Sequence, residues 1–322
     1  MSTRGNEFTK FAETTFSQSG ASGLYDRARP DYPQQALDNL FALLPANGSV
    51  VELGSGTGLF TRMLLKDGRS NGKLAKLLCV EPSEGMRKGF NDKLQEAEVG
   101  QIDLQCVDGL FDQIPSSDAS ADMVVAAQGL LVCATSLLSR MQLINFVSSK
   151  RFTGRDTMVV LPSKRLLACS SRVATPSLSG LSFLEDPGLH QTMTYTLVRN
   201  LEDRSVDWVA HMRDLFEKYE AGTPQYRHGY WKMIYDTPEY NDNFQQHQVE
   251  TFHRGIPVTE DLAIERVLSK SYITALDDAA KATLSSQLRD VIRGAKDKMW
   301  IDEQAGTFEY PYSTDMFIHK RK

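Results

Sequence analysis

Ser49-Val50-Val51-Glu52-Leu53-Gly54-Ser55-Gly56-Thr57-Gly58-Leu59-Phe60 decides the fold of this chain. A short apolar run has the character of a buried parallel strand, and it breaks into three alternate glycines. Leu59, Phe60, Met63 and Leu64 then recur at helical spacing. Strand, glycine turn and helix in that order are how an open α/β sheet builds a nucleotide site. Glycine lets the backbone turn tightly and approach a ligand, and the helix start offers N–H donors without partners.

Spacing separates the ligands such a turn could take. A dinucleotide fingerprint, Gly-x-Gly-x-x-Gly, would put its third small residue at Leu59, which is too bulky for close strand–helix contact. The third glycine is Gly58 instead, and an acid, Glu52, stands just before the turn. This Glu-x-Gly-x-Gly-x-Gly pattern resembles motif I of the class I S-adenosylmethionine-dependent methyltransferases. The resemblance implies a Rossmann-like, doubly wound α/β sheet of about seven strands, an antiparallel last strand and a helical cap between strands five and six. It also implies S-adenosyl-L-methionine as cofactor, with the turn beside its amino-acid part.

Further strands fit that order. Leu77-Leu78-Cys79-Val80-Glu81-Pro82-Ser83 reads as the second strand, ending in an acid that can accept two ribose hydroxyls. Ser83 is placed to cap a helix carrying Met86. Leu104-Gln105-Cys106-Val107-Asp108-Gly109 resembles the third strand with its adenine-side acid, and Asp122 to Gln128 the fourth. Upstream, Leu24-Tyr25-Asp26-Arg27-Ala28-Arg29-Pro30 resembles the N-terminal lid of a subgroup that includes the fungal trans-aconitate-type enzymes. The cofactor-binding set implied is therefore Glu52, Gly54, Ser55, Gly56, Gly58, Glu81, Pro82, Met86, Asp108, Gly109 and Gln128, with Tyr25 and Arg29 from the lid.

Four stretches follow: a lid over 1–32, a cofactor-binding half over 33–128, a divergent segment over 129–193, and the C-terminal half of the sheet with its cap over 194–322. Helix A is expected from Pro33 to Leu44. After Gln128 the subgroup pattern fails, and between Gly129 and Thr194 the only acids are Asp156, Glu185 and Asp186. A divergent insertion and a stretch translated out of frame both remain open; the second predicts poor order and a protein that binds cofactor but transfers methyl groups poorly. The pattern resumes at Thr194 with strand five. Ser205, Thr237, Thr259 and Asp277 then stand at expected helix starts, as does Thr223-Pro224. Strand six is expected from Gln248 to His253, and a closing strand from Thr307 to Ile318. Tyr226, Tyr230, Trp231 and Tyr235 suit either the core or a wall over an acceptor pocket.

The 322 residues carry a net charge of −5. No basic run with interleaved aromatics appears, which argues against nucleic acid and for a small-molecule acceptor. No apolar run approaches the length of a membrane span, and the N-terminus has no signal-peptide pattern, so a cytoplasmic setting is the expectation; a monomer is expected as well. Cys79, Cys106, Cys133 and Cys169 lack paired spacing, which predicts free thiols and no metal site. No catalytic residue is assigned: His190, His211, His228, His247 and His253 are available as bases, and none sits in a motif.

Overall fold

A computed structural model describes residues 28–94, 99–109, 114, 121–127, 194–220 and 225–322. The divergent segment 129–193, Tyr25, Gln128, Thr223-Pro224, His190, Cys133 and Cys169 lie outside the described residues.

Among the described residues, eight strands form one sheet in the order β3-β2-β1-β4-β5-β8-β6, with β7 added beside β8. They are β1 (Gly48–Leu53), β2 (Leu74–Val80), β3 (Asp103–Val107), β4 (Met123–Ala127), β5 (Thr194–Glu202), β6 (Gln248–Val258), β7 (Trp300–Asp302) and β8 (Thr307–Lys320). The first five run parallel, with Val50, Val51 and Glu52 registered on Met123, Val124 and Val125. β8 is antiparallel to both β5 and β6, as expected of the closing strand. Chain order reverses between β1 and β4, and in open sheets that crevice, at the strands' carboxyl ends, is where ligands bind.

One face is covered by α1 (Gln34–Leu43), α2 (Leu59–Asn71) and α3 (Glu84–Leu94). Leu37, Leu40, Leu64 and Phe90 meet Val50, Leu77, Val125 and Val198 there in a continuous core. Side chains alternate along β8, so Met316 and Ile318 join this core while Phe317 points to the other face. Phe308, Tyr310 and Tyr312 share the parity of Met316 and pack under α4 (Asp207–Glu217), α6 (Glu260–Leu268) and α8 (Asp278–Gly294). The short α5 (Pro238–Asn243) and α7 (Ser271–Thr274) complete the helices described.

The connection from β5 to β6 is helical, as anticipated, but its parts go to opposite faces. α4 joins α8, while Trp231, Tyr240 and Phe244 cover Val51, Leu78 and Val124. Trp231 is therefore core, with Tyr226 and Tyr235 half-buried against it: Trp231 stacks on Tyr226 at 5.4 Å and meets Phe317 edge-on at 4.6 Å.

Thr237, Thr259 and Asp277 cap α5, α6 and α8 with their side chains, accepting from Tyr240, Leu262 and Ala280 N–H groups. Ser205 does not cap α4. Its N–H and Oγ both donate to Asp203 Oδ1, an Asx turn that competes with capping and leaves Val206 at the helix start. Strand six runs five residues beyond the expected His253, and β7 was not foreseen, since three exposed residues show no alternation. Cys79 is buried, and Cys106, on the edge strand β3, is half-buried. No helix among the described residues is long and apolar enough to cross a membrane.

Candidate cofactor site

The glycine turn joins β1 to α2 over the crevice. Gly58 stands at φ 79° as the N-cap of α2, and a Cβ there would lie 2.8 Å from the Phe90 ring, so helix–helix packing demands glycine. Gly56, at φ 58°, differs: a Cβ would meet nothing within 4 Å, because the turn faces open space. That space is a cavity lined by Glu52, Gly54, Ser55 and Gly56 together with Arg29, Pro30 and Tyr32. Tyr32 is held by an edge-on contact with Phe60, 4.8 Å between ring centroids.

Two carboxylates shape the turn from below. Glu81, at the tip of β2, accepts the Gly56 N–H at 2.9 Å on Oε2 and the Ser83 N–H at 2.9 Å on Oε1. Burial raises its pKa, and the two backbone donors pull the other way. Each oxygen keeps a lone pair for a further donor. Glu52 is 1% exposed; its Oε2 accepts Thr61 Oγ1 at 2.6 Å, with Cys79 Sγ at 3.7 Å. Burial pushes its pKa up to about 7 against those bonds. Ser55 Oγ is buried beside the Cys106 sulfur, a weak acceptor.

Other expected residues are spread around this centre. Met86 is buried on α3, whose start Ser83 caps at 3.4 Å, and Pro82 is half-buried with its carbonyl taken by Arg87 at 2.7 Å. Gly109 is half-buried at the end of β3. Asp108 is exposed, and Arg87 donates to it at 2.9 Å while also bonding the Glu81 carbonyl. None of the described histidines lines the cavity. His253 is exposed beside Asp203, His228 pairs with Glu220, and His247 stacks on Tyr235 at 4.0 Å.

Sequence reasoning missed Pro30, Tyr32, Thr57, Leu59, Phe60 and Ala127 as site residues, which also line the cavity. Thr57 stood inside the quoted motif as a variable position. Tyr32 follows Arg29 by three residues in the lid segment and could have been read with it. Thr61, the donor to Glu52, carried no signal because its contact exists only once α2 has folded onto β1.

Residues 50–143 match the family described as "Methyltransferase domain". The uncharacterized methyltransferases Rv3342 of Mycobacterium tuberculosis H37Rv and Mb3374 of Mycobacterium bovis are each 34% identical over 117 residues, covering 36% of this chain and 42% of the relative. The match thus spans less than half of those curated relatives. Among solved structures, the YcgJ protein of Bacillus subtilis aligns with a TM-score of 0.46 at 12% identity, over 90% of this chain and 99% of that one. Phosphoethanolamine N-methyltransferase 2 of Haemonchus contortus, solved with S-adenosyl-L-methionine, gives 0.45 at 10%, over 95% and 59%. Residues 50–143 thus carry a methyltransferase domain, and the cofactor expected of it is S-adenosylmethionine. Open space at Gly56 and two acids beside it fit that group.

Proposed function

We propose that this chain transfers a methyl group from S-adenosylmethionine to a small-molecule acceptor. The observation that supports it best is the cavity between the glycine turn and residues 29–32, with a buried acid in its wall and Glu81 bonded to its rim. The cofactor supplies a methyl group already electrophilic through its bond to a cationic sulfur.

The chain's own residues then have to bind and orient. Glu81, anchored by two backbone N–H groups, is fixed to accept a ribose diol through its remaining lone pairs. Glu52 offers negative charge where the cofactor's cationic amino-acid part would lie, and that charge is worth more in a site shielded from water. Gly56 keeps the backbone approach clear, and Tyr32 and Pro30 add apolar surface to the lining. Holding reactants in line can contribute about 7–11 kcal/mol at best, so positioning is the main task of such a site.

Calorimetry and turnover test this. The protein is expected to bind S-adenosylmethionine in preference to NAD and to move label from its methyl group into a component of a metabolite extract. Glu81→Ala should weaken cofactor binding about tenfold to a hundredfold, the loss of a charge-assisted hydrogen bond worth about 1.5–3 kcal/mol. Unchanged affinity would remove Glu81 from the site, and binding without turnover on any extract would reduce the protein to a cofactor binder.

A further inference from the structure

Arg29, Pro30 and Tyr32 line the cavity, yet the sequence of this strap denies it ordinary support. Pro30 and Pro33 have no N–H and cannot join a ladder, and side chains from elsewhere bond this strap. Those side chains come from the distal half of the sheet. Asn200 Nδ2, on β5, donates to the Asp31 carbonyl at 2.8 Å. Arg254 Nη2, on β6, donates to the same carbonyl, and its Nη1 donates to Asp31 Oδ1 at 2.8 Å. Arg29 Nη2 donates to the Ser269 carbonyl, between α6 and α7, at 3.3 Å.

The latch is itself oriented. Thr314 Oγ1, the register neighbour of Asn200 on β8, donates to Asn200 Oδ1 at 2.5 Å, which turns the amide N–H group toward the strap. Asn200 is 8% exposed, so its amide has little access to water as an alternative partner. Glu250, Phe252 and Arg254 are alternate residues of β6 and share the face that carries the first helices. Glu250 is bonded by Asn39 of α1, Phe252 packs on the core there, and Arg254 takes the strap. An otherwise exposed edge strand thus gives one face to the segment that closes the cavity.

We infer that Asn200 and Arg254 are positioning residues of the cofactor site, latching residues 29–32 against the glycine turn although neither lines the cavity. The inference rests on the function proposed above. Releasing the latch frees the wall to swing out, so bound cofactor escapes faster while the sheet stays folded. The reacting groups, once cofactor is bound, are unaltered.

The test uses the full chain with S-adenosylhomocysteine as probe, by calorimetry and by stopped-flow dissociation. The Asn200→Ala/Arg254→Ala double variant is expected to lose about tenfold in affinity, mostly through faster dissociation, the scale of one or two lost hydrogen bonds. The KM for S-adenosylmethionine should rise with kcat nearly unchanged, and Arg254→Lys should recover part of the affinity by restoring one donor. Wild-type affinity in the double variant overturns the latch. So does a loss of affinity that merely tracks a lowered melting temperature and is not recovered by Arg254→Lys. If the double variant does not fold, Arg254→Gln carries the same test, since that side chain is 22% exposed and its removal leaves the core intact. Failure of the wild type to bind S-adenosylhomocysteine at all would instead sink the proposed function, and the latch with it.

Discussion

Glu52 in the cofactor half and Glu202 in the distal half are the same residue, each at or near the carboxyl end of a parallel strand and each buried, with exposures of 1% and 5%. Their environments drive them apart. Burial pushes Glu52 up to about 7, opposed by a hydroxyl, a thiol and the more weakly acting Arg62 guanidinium, none of them an ion-pair partner in contact with it. Burial acts on Glu202 too, but the Lys270 ammonium at 2.7 Å more than offsets it and holds the acid down at about 2. The ion pair is not gained freely, since burial pulls Lys270 below its ordinary range even in contact with Glu202. The distal half has a built-in cation for its acid. The cavity wall has an acid whose matching charge fits a cationic ligand.

The largest effect expected from breaking this contrast is at Lys270. Lys270→Met strands Glu202 without its cation and should cost about 3–5 kcal/mol, read as a fall in denaturant midpoint at pH 7. Glu202 contributes stability above the ordinary carboxylate range that is lost as pH falls toward 2, so the variant should also be lost at higher pH than the wild type. Adding Glu202→Leu should restore most of the loss. A double variant no better than Lys270→Met would mean that Lys270 acts through packing on Phe216, which its Nζ faces at 4.7 Å, and not through charge.

Glu52→Gln probes the other acid with the opposite sign. Its folded pKa of about 7 lies above the unfolded value, so the folded state holds the proton more tightly. Stability is therefore lost as pH rises from about 4.5 through 7, by up to about 3 kcal/mol. A glutamine has no such dependence. Without cofactor, Glu52→Gln should be more stable than wild type at pH 8 and lose that advantage near pH 5, while binding S-adenosylmethionine more weakly. An advantage equal at both pH values would show that the carboxylate is not desolvated in solution.

The two halves also differed in how far the sequence exposed them. The cofactor half was legible because its signals are local: three alternate glycines, an acid before them, a second acid at the next strand tip. A backbone turn at positive φ needs glycine whatever else the protein does, so Gly56 and Gly58 could be read with no partner in view. The strand order and the antiparallel β8 followed from the resemblance those residues carried. In the distal half only caps and alternation were readable, and even there Ser205 misled, since Asp203 two residues earlier took its hydroxyl. The latch on residues 29–32 was out of reach. Asn200 and Arg254 show no pattern in sequence, and they meet Asp31 only through the closed sheet. The Lys270–Glu202 pair was hidden for the same reason.

The smallest effects come from deleting one hydroxyl beside each acid, and they sharpen the contrast most. Thr61→Val removes the 2.6 Å donor to Glu52, one of the few interactions that favour its charged form. The pKa of Glu52 should climb further. The variant should lose about 1.5 kcal/mol at pH 8, where the acid is ionised, and roughly half that at pH 5, where only a bond between neutral groups is lost. Tyr312→Phe removes a 3.4 Å donor to Glu202, but there the ammonium at 2.7 Å remains. Its cost should stay below about 1 kcal/mol and barely change between pH 5 and 8, since Glu202 is ionised across that whole range. Chemical denaturation of both variants at the two pH values decides the matter. Equal pH dependence in the two would mean that Glu52 is no less compensated than Glu202, and the cavity would then have no unmatched charge to offer a cationic ligand.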